Sequence, residues 1–340
     1  MVSCWGGGSV QTDLAAGVLD RAFKVPLAAL EGRYAGVFTP TAEVGKPKIG
    51  VSSSLLERAD DYFNKYEHYD YIFWLLQSEL ERLPAPLSGL ALDIGSGFGN
   101  TVIPLLSNCP DLSVLATDIS PDLLSVLLRE AGQRGFGSRC HAVAMDAHGD
   151  YLHEEFADAA FGCAVLHHLQ DPTTVVRSTL RALKPGGRAV FIEPFQPGHA
   201  VLRMAYEMVL WEASRRKAKG AIFSFIQAMI NDIHVRTHQS VLPDTGMAWH
   251  ELDDKWLFTR THFERIAESV RCSDLIIRQI HGDGDFIQQQ ARVAITEYGS
   301  FPVAALPEWG WAIFKRFDDV YLSKELKRDL IMEGIVTFIR

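Results

Sequence analysis

Between Gly89 and Ile192 the chain alternates short apolar runs with amphipathic stretches, the pattern of a parallel sheet wound with helices. Apolar runs at Leu90–Ile94, Ser113–Thr117, His141–Ala144, Ala159–Cys163 and Arg188–Ile192 predict strands. Two of the intervening helices have readable starts, Ser120–Pro121 and Asp171–Pro172, where a capping side chain precedes a first-turn proline. Lys184–Pro185–Gly186–Gly187 then stops a helix and feeds the next strand. Strand character returns at Leu275–Ile280 and Ile331–Ile339, with a helix expected around Trp309–Leu326. The expected fold is therefore α/β: a mostly parallel seven-stranded sheet with helices on both faces.

The flanks read less regularly. Tyr62, Tyr66, Tyr69, Phe73 and Leu76 keep one face of a helix expected over Leu55–Leu83, ended by Pro84 and Pro86. Ahead of it, residues 1–54 form an arm with helical character from Ala15 to Leu30, interrupted at Pro26, and an irregular stretch after that. After Pro194 the strand–helix alternation fails. Val201, Met204, Ala205 and Met208 mark one amphipathic helix and Ile222, Ile226 and Ile230 another, so residues 195–260 read as a helical cap inserted into a domain spanning 55–340.

Composition narrows the function. A formal net charge of −9 opposes a phosphate backbone, so no nucleic-acid partner is expected. No apolar run reaches membrane-spanning length, and Met1–Val10 lacks the basic and apolar regions of an export signal. The five cysteines, Cys4, Cys109, Cys140, Cys163 and Cys272, are scattered and read as reduced thiols of a cytoplasmic protein. His234 and His238 are four apart but lie in no H-E-x-x-H pattern, so no metal is expected there. Arg215, Arg216, Lys217 and Lys219 read as a solvated helix end.

The most informative segment is Leu90–Asn100, a strand that opens directly into Asp93-Ile94-Gly95-Ser96-Gly97-Phe98-Gly99-Asn100. Glycine there lets a nucleotide-sized ligand lie against the backbone. The G-x-G-x-G spacing, preceded by an aspartate, differs from the G-x-G-x-x-G dinucleotide fingerprint. Asp118 closes the second strand, where a carboxylate accepts hydrogen bonds from vicinal ribose hydroxyls, and Ile119 follows it.

On these residues the chain resembles the class I S-adenosylmethionine-dependent methyltransferases, whose first motif has the form Asp93–Gly99, and in particular small-molecule, quinone-methyltransferase-like members. The resemblance covers roughly residues 60–195, and more loosely the end of the chain. It implies a Rossmann-like sheet and S-adenosylmethionine as cofactor. The cofactor's methionine part would lie along Asp93, Gly95, Ser96, Gly97, Gly99 and Asn100, the ribose at Asp118, and the adenine at Ile119 and Met145-Asp146-Ala147. Tyr62 would cover the cofactor, Phe63 and Tyr66 doing so or belonging to the core. Cys163 would border it within Phe161–Leu169.

Methyl transfer from a sulfonium needs alignment and desolvation rather than a nucleophilic triad. A hydroxyl or ammonium acceptor also needs a base, for which His167 is the first candidate and Glu193 the second. His167 and His168 also fit local packing, and Glu193 also fits a turn cap. Tyr206, Trp211, Phe223, Phe225, Trp249 and Trp256 in the cap favour a small, partly apolar methyl acceptor, or build the cap's own core or a homodimer face. A nicotinamide oxidoreductase and a noncatalytic relative that keeps the fold as a binding protein are the competing readings.

Overall fold

The computed structural model describes residues 17–46, 58–83, 85–281 and 284–340. Nine strands form one sheet: β1 (Leu27–Ala29), β2 (Val37–Pro40), β3 (Gly89–Ile94), β4 (Leu112–Asp118), β5 (Cys140–Ala144), β6 (Ala157–Cys163), β7 (Leu183–Pro194), β8 (Asp274–Gln279) and β9 (Glu333–Ile339). Their order is β1-β2-β5-β4-β3-β6-β7-β9-β8. Strands β2 to β7 run parallel in their pairings, β9 is antiparallel to both β7 and β8, and β1 is antiparallel to β2.

All seven expected strands are present, but the count of seven is corrected to nine. The additional pair comes from the arm. Residues 17–22 are helical, and the helix expected to Leu30 gives way to β1, whose partner β2 lies parallel to β5 through Val37↔Ala142 and Phe38↔Val143. Strands of three and four residues show no alternation of their own; the open edge of β5 supplies the hydrogen bonds that make them strands. The rest of the arm, 1–16 and 47–54, lies outside the described residues, as do Leu55 and Pro84 of the following helix expectation.

The sequence alternation decides which side chains face which layer. In β3, Leu90, Leu92 and Ile94 enter one core while Ala91 enters the other. One face is covered by α1 (Ala59–Tyr66), α2 (Tyr69–Leu80), α3 (Val102–Asn108) and α4 (Pro121–Gln133). The opposite face packs α5 (Pro172–Ala182) and, later in the chain, Arg260–Val270. Ser120 Oγ accepts the Leu123 N–H at 3.3 Å and an Asp171 oxygen accepts that of Thr174 at 3.2 Å, so both expected caps form. The single helix expected over Leu55–Leu83 is two, broken at Glu67 and His68.

The chain runs β3, β4, β5 toward one edge and then crosses to β6 and β7 on the other side of β3, so the order reverses between β3 and β6. Open α/β sheets bind ligands beyond the carboxyl ends of strands at such a reversal. The helices expected to form a cap follow β7 and pack with a later segment of the chain. Helices α6 (Gln196–Arg216) and α7 (Ala221–His238) share one core, through Tyr206, Ile226 and Ile230, with Phe286, Phe314 and Leu322 from the segment between β8 and β9. Two excursions far apart in sequence thus build one roof. Among the described residues no helix is long and apolar enough to cross a membrane.

Candidate active site

The turn after β3 is shaped by its glycines. Gly95 has φ +66°, and a Cβ there would come within 2.3 Å of Val165 Cγ2. Gly95→Ala is expected to lower stability by about 1–3 kcal/mol, read as a shift of the urea unfolding midpoint at unchanged slope. Gly97 has φ +51°, and a Cβ there would meet nothing within 4 Å, so this glycine looks onto open space. Gly99 closes the turn by donating its N–H to Ser96 O at 2.9 Å, and Ser96 Oγ donates to Asp93 O at 3.1 Å.

Asp93 is the anomaly of the turn. Its side chain is buried and neither carboxylate oxygen has a hydrogen-bond partner. Burial raises its carboxyl to about 8. Asp118 faces it from β4: Oδ2 accepts the Gly97 N–H and Oδ1 the Ser120 N–H, each at 2.8 Å. The cofactor reading meets these residues well. An orphaned acid lies under the glycine turn, an open backbone surface lies at Gly97, and a carboxylate able to accept four hydrogen bonds stands where the ribose is expected.

Other expected contacts stand differently. Asn100 does not line the turn; its Nδ2 donates to Tyr66 O at 2.9 Å and its Oδ1 accepts the His68 N–H at 3.0 Å. Both ends of the amide are used to break the α1–α2 helix and pin it to the turn. Asp146 is exposed; its Oδ1 accepts from His148 N at 2.9 Å and lies 2.8 Å from His148 Nδ1, which holds its carboxyl below the usual range. Its N–H meets Glu43 of the arm at 3.0 Å, a neighbour the sequence did not suggest. Ile119 and Ala147 are half-buried and Met145 is buried. Tyr62 packs on Phe98 with ring centres 5.7 Å apart, and burial together with Tyr66 and Asp118 raises its hydroxyl to about 12.

Beyond β6 the backbone turns sharply. Ala164 takes φ +54°, a strained value for a residue with a Cβ, and leads into the short helical turn Leu166–His168. Glu193, at the end of the neighbouring β7, has a fully buried side chain and accepts the N–H groups of Val165 at 3.1 Å, Leu166 at 2.7 Å and His167 at 3.2 Å, and lies 2.7 Å from His167 Nδ1. Glu193 anchors this turn, with four donors converging on it. It orients His167, with Nδ1 toward Glu193 and Nε2 toward Asp254 Oδ1 at 3.5 Å. Burial alone would lower the His167 imidazole, but Glu193 and Asp254 outweigh it and raise it to about 9.

Asp254 comes from a stretch without sequence signal. Lys255 and Trp256 donate their N–H groups to His167 O at 2.7 and 3.2 Å, so this loop is laced onto the histidine turn. Asp254 Oδ2 lies 3.6 Å from Arg236 of α7, and Arg236 in turn donates to Trp256 O at 2.8 Å. Glu333, opposite Pro194 in the β7–β9 ladder, lies 3.8 Å from His199 Nε2; burial raises its carboxyl to about 8, against the pull of His167 and Arg236.

Asp254 keeps 47% of its side-chain surface and Glu333 25%; Cys163 is half-buried and His168 exposed. His167 follows the carboxyl end of β6, and Glu333 stands opposite Pro194 at that of β7, so these groups gather at the carboxyl edge of the sheet. By contrast His234 Nδ1 meets Arg203 at 3.1 Å and His238 Nδ1 meets the His234 carbonyl at 2.9 Å, which accounts for that pair locally. Arg215 and Arg216 both pair with Glu212.

Part of the chain is similar to known proteins. Residues 92–189 match the family model described as a methyltransferase domain. A ubiquinone/menaquinone biosynthesis C-methyltransferase UbiE of Ectopseudomonas mendocina is 28% identical over 181 residues, covering 49% of this chain and 70% of the relative. A demethylmenaquinone methyltransferase of Deinococcus radiodurans is 29% identical over 127 residues, covering 35% of this chain and 50% of the relative. Among solved structures, phosphoethanolamine N-methyltransferase 2 of Haemonchus contortus in complex with S-adenosyl-L-methionine aligns with a TM-score of 0.49 at 18% identity, covering 87% of this chain and 61% of that one. The glycine turn and the acid at the end of β4 both lie within the span that matches the methyltransferase-domain model, and over this part the chain is similar to S-adenosylmethionine-dependent methyltransferases.

Proposed function

We propose that the chain methylates a small acceptor held between the glycine turn and the cap. The observation that carries this reading is the gathering of His167, Asp254 and Glu333 at the carboxyl edge of the sheet that also carries the glycine turn, whose backbone is open at Gly97. S-adenosylmethionine, when bound, supplies a methyl group on a sulfonium already activated for displacement. The residues proposed to hold it are Asp93, Gly95, Ser96, Gly97, Gly99, Asp118, Ile119, Met145, Asp146, Ala147, Cys163 and Tyr62. Asn100 acts by fixing the helices beside them. The chain's own contribution is to exclude water beneath the cap and to orient the acceptor. His167, fixed by Glu193 with its Nε2 turned toward Asp254, is the polar group proposed to meet the acceptor.

The acceptor proposed is partly apolar, since Tyr62, Tyr71 and Tyr298 lie near the same carboxylates. The UbiE similarity supports a small acceptor. The net charge of −9 supports a partner other than nucleic acid, and the unpaired Cys109, Cys140, Cys163 and Cys272 support a reducing cytoplasm.

Asp93 tests the cofactor assignment by proton counting. The cofactor carries an ammonium on its methionine part, and receiving it would ionise the buried acid. Calorimetric titration of S-adenosylmethionine at neutral pH in buffers of different ionisation enthalpy is expected to show about one proton released, a release absent in Asp93→Asn. Binding without proton exchange would remove Asp93 from the ligand set. Stability gives an independent check. The folded-state value near 8 lies above the ordinary 3.8, so the folded chain keeps a proton that the unfolded chain loses. Stability is expected to fall as pH rises from about 4 through about 8, with a flatter slope in Asp93→Asn thermal melts.

A further inference from the structure

We propose that His167, His168 and Asp254 form a binding site for a first-row divalent metal ion of the zinc type, placed at the carboxyl edge of the sheet. The donor atoms of these three residues lie within 4.8 Å of one another, and no other such group occurs among the described residues. Asp254 Oδ1 is 3.5 Å from His167 Nε2 and 3.2 Å from His168 Nδ1. Charged histidine–carboxylate hydrogen bonds are shorter, about 2.7–2.9 Å. Donors each about 2.0–2.2 Å from a tetrahedral ion, in contrast, lie about 3.3 Å apart. Both separations from Asp254 Oδ1 are those of ligands around a common centre.

The surroundings are built to match. Glu193 takes the Nδ1 side of His167 at 2.7 Å, the carboxylate–histidine arrangement that leaves Nε2 as a ligand and fixes its direction. Arg236 lies against Oδ2 of Asp254 at 3.6 Å, which aims Oδ1 at the two imidazoles. His168 Nδ1 also lies 2.9 Å from the Asp253 carbonyl, so this oxygen stands beside the same centre and either joins the ligand set or is released when the imidazole coordinates. Two nitrogens and a carboxylate favour zinc, cobalt, manganese or iron over magnesium or calcium, which prefer all-oxygen sites. Three protein donors leave a position open, where an ion would hold an acceptor hydroxyl or amine and lower its proton affinity. That last role rests on the reading of this edge as the acceptor site; the binding of the ion does not.

The test uses the full chain stripped with a chelator and titrated with Co²⁺, whose visible absorption reports a four- or five-coordinate site. One ion per chain with such a band is expected. Asp254→Asn and His168→Ala should abolish it, Glu193→Gln should weaken binding about 10–100-fold, and His238→Ala should leave it unchanged. Asp254→Asn keeps the side-chain shape on a half-exposed loop, so it is readable even where a histidine variant unfolds. Absence of the band in the wild-type chain, or its survival in Asp254→Asn, overturns the proposal. Calorimetry with S-adenosylmethionine on the same metal-free samples separates the two readings: cofactor binding without cobalt binding overturns the metal site alone, and cobalt binding without cofactor binding overturns the cofactor assignment alone.

Discussion

Asp118→Ala is expected to weaken S-adenosylmethionine binding about 100-fold, measured by calorimetric titration. A hydrogen bond to a charged group contributes about 1.5–3 kcal/mol, so losing the acceptor of two ribose hydroxyls costs about 3 kcal/mol, which is about two decades in Kd. The carboxylate also holds the turn, through Gly97 N–H and Ser120 N–H at 2.8 Å each. Two controls separate these roles. Asp118→Asn keeps one acceptor oxygen and should lose less affinity than alanine. The urea midpoints of both variants report what the turn has lost. Undiminished cofactor affinity in Asp118→Ala would place the ribose elsewhere on this sheet edge.

The second large effect belongs to Glu193. Removing its carboxylate as alanine strands three N–H groups and the His167 imidazole in a site with no solvent. Breaking a buried charged pair by deleting one partner costs about 3–5 kcal/mol, so Glu193→Ala is expected to unfold at markedly lower urea. Glu193→Gln keeps the volume and one acceptor but not the charge. Its expected signature is a fall in kcat on the order of 10²–10⁴, the usual range for misplacing an acid–base group, with S-adenosylmethionine affinity retained. Equal losses in cofactor affinity and kcat would mean that Glu193 only supports the fold.

The glycine turn and the acid that ends the next strand were legible before the structure because they are local. Asp93 to Gly99 are consecutive, Asp118 ends the very next strand, and the backbone at each position leaves few residue types that fit. Asn100 marks the limit of such local reading, since an asparagine after a glycine turn looks the same whether it meets a ligand or a neighbouring helix. Its role was decided by Tyr66 and His68, thirty-odd residues away in the chain.

The acceptor half was not legible in the same way. His167 and Glu193 were nominated separately, and nothing in the sequence says that one carboxylate collects four donors from the other's turn. Asp254, Arg236 and Glu333 carry no motif. Each is a charged residue of ordinary appearance in a loop, on a helix and at a strand start, and they matter because the cap folds them over the end of β6.

Amphipathic period, capping residues and the glycine turn determined the parallel sheet, most helix starts and the cofactor edge, because these depend on interactions between residues close in sequence. The two arm strands, the joining of 196–238 with 286–322 into one roof, and the charge arrangement around His167 were decided only in three dimensions. An unpaired strand edge, a shared apolar face and a buried charge each specify that something must cover or neutralise them, but not which distant segment will.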